Sequence, residues 1–276
     1  MSDPKIAFIG AGNMASSIIG GLTAKGFDAQ SMTASDPYPE SLVNLAKIAP
    51  VNITHDNHQA VANADVVVLA VKPQMMKTVL EDLASSVQQS KPLMISIAAG
   101  IETNSLDKWL GGDMPIVRCM PNTPALVQSG ATALFANSKV NGEQKELADQ
   151  ILRAVGIALW VEQESALDAV TAVSGSGPAY FFLVMEAMQT AGEQLGLSAD
   201  VAKQLTLQTA LGAAQMAIAS DVGTDELRRR VTSPGGTTAE AIKVFEDAGL
   251  RDTFNKALIA CRDRSEELAK IIDSED

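Results

Sequence analysis

The run Gly10-Ala11-Gly12-Asn13-Met14-Ala15 restricts the fold of this chain more than any other feature, because it joins a short apolar stretch at residues 5–10 to a helical pattern at residues 15–25. A strand that ends in Gly-x-Gly-x-x-Ala and turns at once into a helix makes a separate demand on each small residue. Gly10 permits the tight turn, Gly12 lets the backbone approach a pyrophosphate, and Ala15 lets helix and strand pack closely. The free N–H groups of the helix start then hold the anion. Residues 32–35 read as a second strand, so the chain opens as β-α-β. Gly10, Ala11, Gly12, Asn13, Met14 and Ala15 are expected to bind a dinucleotide.

An acidic residue about 20 positions further on takes the ribose hydroxyls in NAD sites, and Asp36 stands there. It lies between Ser35 and Pro37, so a turn-capping aspartate is the alternative. No arginine stands beside it to receive a 2′-phosphate. The residues lean towards NAD, while Ser35 and the nearby Asn and Tyr leave NADP open. Asn57 is expected to flank the adenine side, ahead of the helix leading to the next strand, and His58 reads as a surface histidine.

Residues 64–71 (ADVVVLAV) form a β-branched, nearly uninterrupted apolar run of strand length, the mark of a parallel strand buried on both faces. At its end Ala70, Val71, Lys72 and Pro73 occupy the place where an open parallel sheet binds its ligand. Lys72 offers a cation to the phosphates or ribose, and Pro73 fixes the turn and restarts the chain as a helix. Further strands are predicted at residues 93–98, 116–120, 131–135 and 157–161, with helices at 105–110 and 143–155. Ala98 and Gly100 leave room for a flat nicotinamide ring to pass. Asn122 sits between two prolines in a stiff loop that costs little entropy to hold against a ligand.

Strand and helix alternate as an α/β, N-terminal Rossmann-like doubly wound sheet requires. After residue 161 no convincing strand appears, and helical patterns at residues 178–196, 199–220, 237–247 and 250–272 predict an all-helical C-terminal domain. The reading is therefore a dinucleotide-binding domain at 1–163 and a helical substrate-binding and dimerisation domain at 164–276. Residues 201–219 are apolar or small over much of the helix circumference, which demands neighbours on several sides. A dimer interface is favoured over the centre of a closed bundle, because roughly 110 helical residues make a thin core.

Two glycine-rich loops punctuate the helical part. Ser174-Gly175-Ser176-Gly177-Pro178 reads as a flexible hinge closed by a proline suited to a first helical turn. Ser174 and Ser176 are its candidates for lining a cleft. Ser233-Pro234-Gly235-Gly236-Thr237-Thr238 precedes a helix, with Thr237 and Glu240 spaced as a capping box. Ser233, Gly235, Gly236, Thr237 and Thr238 are expected to form a carboxylate-sized anion site from backbone donors. Arg228, Arg229 and Arg230, just upstream, read as a solvated helix face.

Composition enters through what it excludes. A net charge of −12 repels phosphate backbones and anionic lipid surfaces, so neither nucleic acid nor membrane is an expected partner. The cysteines, Cys119 and Cys261, and the histidines, His55 and His58, have no metal-site or disulfide spacing, so no metal is expected. No signal-peptide pattern is seen, and no apolar run approaches the roughly 20 residues needed to span a bilayer. A cytoplasmic setting is the expectation.

The set FIGAGNMA, AVKPQ, SIAAG, RCMPNTPA, TAVSGSGPAYFF and SPGGTT resembles the pyrroline-5-carboxylate reductases in order and spacing over essentially the whole chain. The resemblance implies reduction of 1-pyrroline-5-carboxylate to L-proline, the last step of proline biosynthesis, with NADPH or NADH. It also implies a homodimer or a higher homo-oligomer built from dimers. It carries cofactor binding onto Gly10 to Ala15, Ser35, Asn57 and Ala70 to Pro73, and substrate binding onto Ser233 to Thr238. Thr238 is the expected catalytic residue, its hydroxyl hydrogen-bonding the ring nitrogen of the imine. Two other classes remain to be weighed. One is a 3-hydroxyacid dehydrogenase-like oxidoreductase, although residues 179–194 lack the lysine those enzymes resemble one another in carrying. The other is a non-catalytic nicotinamide-sensing protein.

Overall fold

The computed structural model describes residues 3–274. Packing divides the chain into two units, one running to Ser176 and resuming at Cys261, the other Gly177–Ala260. The boundary expected near residue 164 thus lies ahead of the packing division.

The first unit runs β1 (Ile6–Ile9), α1 (Asn13–Ala24), β2 (Met32–Ser35), α2 (Pro39–Ala46), β3 (Asn52–Thr54), α3 (Asn57–Val61), β4 (Val66–Leu69), α4 (Pro73–Ser90), β5 (Leu93–Ser96), α5 (Thr103–Trp109), β6 (Ile116–Met120), β7 (Gly130–Ala136), α6 (Gly142–Leu152), β8 (Gly156–Trp160) and α7 (Ala166–Val170). The strands form one sheet in the order β3-β2-β1-β4-β5-β6-β7-β8. All neighbours are parallel except β6 and β7. The link from β6 to β7 is only a 3₁₀ turn, Thr123–Val127, flanked by short loops, too little chain for the crossover a parallel pair needs.

Alternate residues of the strands feed two cores. Phe8, Val66, Val68 and Ile95 pack on one face with Ile18, Ile19 and Leu22 of α1. Ala7, Ile9, Val67, Leu69 and Met94 pack on the other with Met76, Leu80 and Leu83 of α4. Both faces being covered, the central strands are apolar without alternation. Strand β3 escapes that pattern, since Asn52 and Ile53 are exposed on the sheet's edge, and with α2 it is an element the sequence reading did not contain. Asn57 and His58, expected ahead of a helix, form the first turn of α3.

The glycine-rich segment after α7 is not a loose hinge. Residues Thr171–Gly175 make a π-helical turn, in which the Ser176 N–H reaches back to the Thr171 carbonyl at 2.8 Å. The Ser174 hydroxyl closes onto the Val170 carbonyl at 3.1 Å. Helix therefore continues from Ala166 to Gln194, a run of 29 residues that is long and apolar enough by composition to cross a membrane. The sequence pattern predicts a helix only from residue 178, so this longer helical run was not expected.

The second unit holds α8 (Gly177–Gln194), α9 (Ala199–Ile218), α10 (Thr224–Arg230), α11 (Thr237–Asp247) and the start of α12 (Leu250–Ser274). Phe181, Phe182 and Leu183 on α8 and Leu205, Leu211 and Met216 on α9 are each more than half exposed in the single chain.

Candidate active site

Strand β1 ends at Gly10, whose φ of +99° and whose neighbours both require glycine: a Cβ there would stand 2.7 Å from the Ala70 carbonyl oxygen. The turn is pinned from two sides, with the Gly10 N–H on the Ser35 carbonyl at 2.8 Å and the Ala70 N–H on the Ile9 carbonyl at 2.8 Å. Gly12 is needed for a different reason. It caps α1 with an ordinary φ of −71° and no side chain reaches the helix start, while a Cβ at Gly12 would meet nothing within 4 Å. The space above the α1 amides is thus left open by sequence choice. A twelve-residue helix directs its positive end there, and the donor set fits a dinucleotide pyrophosphate. Asn13 is exposed, Met14 half-buried and Ala15 buried against the sheet.

The ends of β2, β4, β5 and β6 complete this edge. Ser35 is fully buried and its hydroxyl donates to Asn57 Oδ1 at 2.7 Å. The Asp36 carboxylate accepts the Ala11 N–H and the Tyr38 N–H, both at 2.8 Å. His58 turns away to Asp82 and Ser86 on the surface. Beyond β4, Val71 is half-buried, and Lys72 is exposed as the uncapped N-cap of α4 with Pro73 in the first turn. Ala98 and Gly100 are buried after β5, and Gly100 adopts a φ of +75°.

Asn122, after β6, is engaged internally at both ends of its amide. Its Oδ1 accepts the Ala131 N–H at 2.9 Å and its Nδ2 donates to the Ser174 carbonyl at 3.0 Å. A cavity of about 330 Å³ lies beyond β4 and β5, lined among others by Pro73, Ala99, Gly100, Thr171, Ser176 and Cys261. Cys261 Sγ stands 3.3 Å from the Ser176 hydroxyl, and Ser265 donates to Asp168 at 2.7 Å, so the later part of α12 forms one wall. This placement follows the general rule for open α/β sheets.

A buried ion pair was not anticipated. Arg118 of β6 meets Glu164 at 3.0 Å with only 6% of its side chain exposed. Glu164 also accepts the Thr103 N–H and hydroxyl, both at 2.7 Å. The signal was a lone arginine inside the apolar strand IVRCM, which has to find a carboxylate. Next to it Cys119 is buried, which pushes its thiol up to about 12.

In the second unit the Ser233 to Thr238 loop turns tightly, with the Gly236 N–H on the Ser233 carbonyl at 3.0 Å and Gly235 at a φ of +70°. The expected capping box is absent. Helix α11 begins one residue earlier than that motif needs, so Gly236 is the N-cap and Thr237 already lies in the first turn, with no side-chain cap. The start of α11 is left open, and Thr237 and Thr238 are exposed. Arg229 and Arg230 pair with Glu226, and Arg228 with Glu246, as a solvated face would.

A pyrroline-5-carboxylate reductase of Pseudomonas aeruginosa is 57% identical over 270 residues, 98% of each chain. The chain belongs to the pyrroline-5-carboxylate reductase family. A solved pyrroline-5-carboxylate reductase structure from Coxiella burnetii matches with a TM-score of 0.93 at 49% identity, covering 96% of this chain and 98% of that one. The pyrroline carboxylate reductase of Plasmodium falciparum, solved with NADP bound, matches with a TM-score of 0.86 at 31% identity over 98% and 99%. The family model for pyrroline-5-carboxylate reductase dimerisation matches residues 164–268, and that for the coenzyme F420-dependent NADP oxidoreductases matches residues 5–100. In this reductase the two matches fall on the helical part and on the glycine turn with the first strands of the sheet.

Proposed function

We propose that the chain reduces 1-pyrroline-5-carboxylate to L-proline, taking the hydride from NADPH or NADH. The observation that carries this reading is full-length family membership together with the open α1 start at Gly12. Residues 1–163 are assigned to the dinucleotide. Residues 164–276 are assigned to substrate and to pairing in a homodimer or a larger assembly of dimers. The cytoplasm is the proposed location.

A bound nicotinamide cofactor supplies the hydride. A protonated cyclic imine already carries the charge that draws it, so the protein's own work is positioning and electrostatics rather than strong acid catalysis. The uncapped start of α11 at Gly236 offers backbone donors to the substrate carboxylate. The Thr238 hydroxyl is assigned to the ring nitrogen. Ser176, which lines the 330 Å³ cavity, and Ser174 are assigned to the lining of a cleft.

The test is the loss of nicotinamide absorbance when purified protein is mixed with cofactor and 1-pyrroline-5-carboxylate. Cofactor binding without turnover would replace this reading by the sensor alternative. Thr238→Ala is expected to lower kcat/KM by more than about tenfold, since a positioned donor is lost. A smaller effect would remove Thr238 from the reaction.

A further inference from the structure

The acidic residue at the end of the second strand of a dinucleotide fold is usually read as the ribose ligand that selects NAD and repels a 2′-phosphate. Here that carboxylate is engaged elsewhere. Asp36 is 7% exposed. One of its oxygens accepts the N–H of Ala11, the middle residue of the glycine turn, and the other accepts the N–H of Tyr38. Its backbone is held as firmly: the Asp36 carbonyl meets His55 Nδ1 at 2.8 Å. A carbonyl can only accept, so that nitrogen carries the proton. Ser35 is also spent, because its hydroxyl donates to Asn57 Oδ1. With Oδ1 taken by Ser35, the Asn57 side chain offers its Nδ2 as a donor, which suits a hydroxyl or a phosphate equally.

We propose that Asp36 is a positioning residue that holds the glycine turn in shape through Ala11, and that it takes no part in telling NADPH from NADH. The inference rests on the dinucleotide reading of the Gly10 to Ala15 turn. A charge-assisted bond across 25 residues of chain ties the strand end to the loop, and losing it loosens the cradle for both cofactors alike. The chain then accepts the phosphorylated cofactor despite an acid at this position, because the carboxylate is turned into the protein with each oxygen hydrogen-bonded to a backbone amide.

Titration calorimetry of the unaltered protein and of Asp36→Asn with NADP⁺ and NAD⁺ tests this. In Asp36→Asn both Kd values are expected to rise by the same factor, on the order of tenfold for one charged hydrogen bond lost, with their ratio kept within about twofold. In turnover the loss should appear in the KM for both cofactors rather than in kcat, a split that general loosening of the fold does not produce. A shift of the Kd ratio by about tenfold or more towards NADP⁺ would overturn the proposal, since that is what removing a ribose-reading charge does. Should the variant not fold, the unaltered protein decides. Binding 2′,5′-ADP at least as tightly as 5′-AMP supports the proposal, and a preference for 5′-AMP of about tenfold overturns it. Failure of the unaltered protein to bind either dinucleotide would overturn the dinucleotide reading itself.

Discussion

At the scale of single residues, the two glycines of the first turn do different work, and substitution should separate them. Gly10→Ala forces a side chain into a φ of +99° and against the Ala70 carbonyl, so it is expected to cost about 2 kcal/mol or more and to lower Tm. Gly12→Val places a Cβ in open space at an ordinary φ. Tm should hold while NADPH binding is lost, with thermal melts and cofactor titration reading the two effects. The reverse pattern would mean that the turn has another geometry. The sequence made the turn legible because each small residue answers a steric demand. It did not reveal that Asp36 faces Ala11, or that Thr237 misses the cap position, because such choices depend on ångström-scale placement that a motif does not encode. Cys119 offers a second test. Burial lifts its thiol from 9.0 to about 12, so the unfolded chain loses this proton first as pH rises. The stability from the buried neutral thiol is complete below about pH 9 and is lost between about pH 9 and 12, by up to about 1.4 kcal/mol per pH unit. Cys119→Ala should flatten that alkaline slope in Tm against pH, and an unchanged slope would assign it to other groups.

At the scale of elements, what was legible follows burial. Strands β1, β4, β5 and β6 announce themselves as apolar runs because helices cover both faces of the sheet. Strand β3 does not, since three residues on an edge, two of them polar, have no periodicity to show. The glycine-rich run after α7 misleads for the opposite reason: its residues favour loops in isolation, and packing makes them a π turn. That turn is fastened to the sheet by Asn122, which holds the Ser174 carbonyl. A second fastening is the Arg118–Glu164 pair, which joins β6 to the approach to α7 and, through Thr103, to α5. Glu164→Gln leaves a guanidinium that is 6% exposed without its counter-charge and should cost about 3 kcal/mol. Glu164→Gln combined with Arg118→Met should recover part of that loss in chemical denaturation. If the double variant is as unstable as the single, the charge pair is not the source of the effect.

At the scale of the whole molecule, the second unit leaves large apolar side chains exposed in the single chain. Helix α9 buries only Ala202 and Thr206, although its sequence is apolar or small over much of its circumference, and Phe182 and Leu211 are 63% and 52% exposed. The demand for neighbours was therefore readable from composition around the helix, while their source was not, because one sequence looks the same whether its apolar face meets its own chain or a second copy. The match of residues 164–268 to a dimerisation model points to the second copy. On that reading Phe182→Glu with Leu211→Glu should cost the isolated chain little, since both side chains already stand in water. In a dimer the same carboxylates would be buried without partners, at a cost of several kcal/mol each. Sedimentation velocity should therefore show the double variant as a monomer that still binds NADPH through the first unit. Retention of the parent's sedimentation coefficient would place the contact between copies on a different surface.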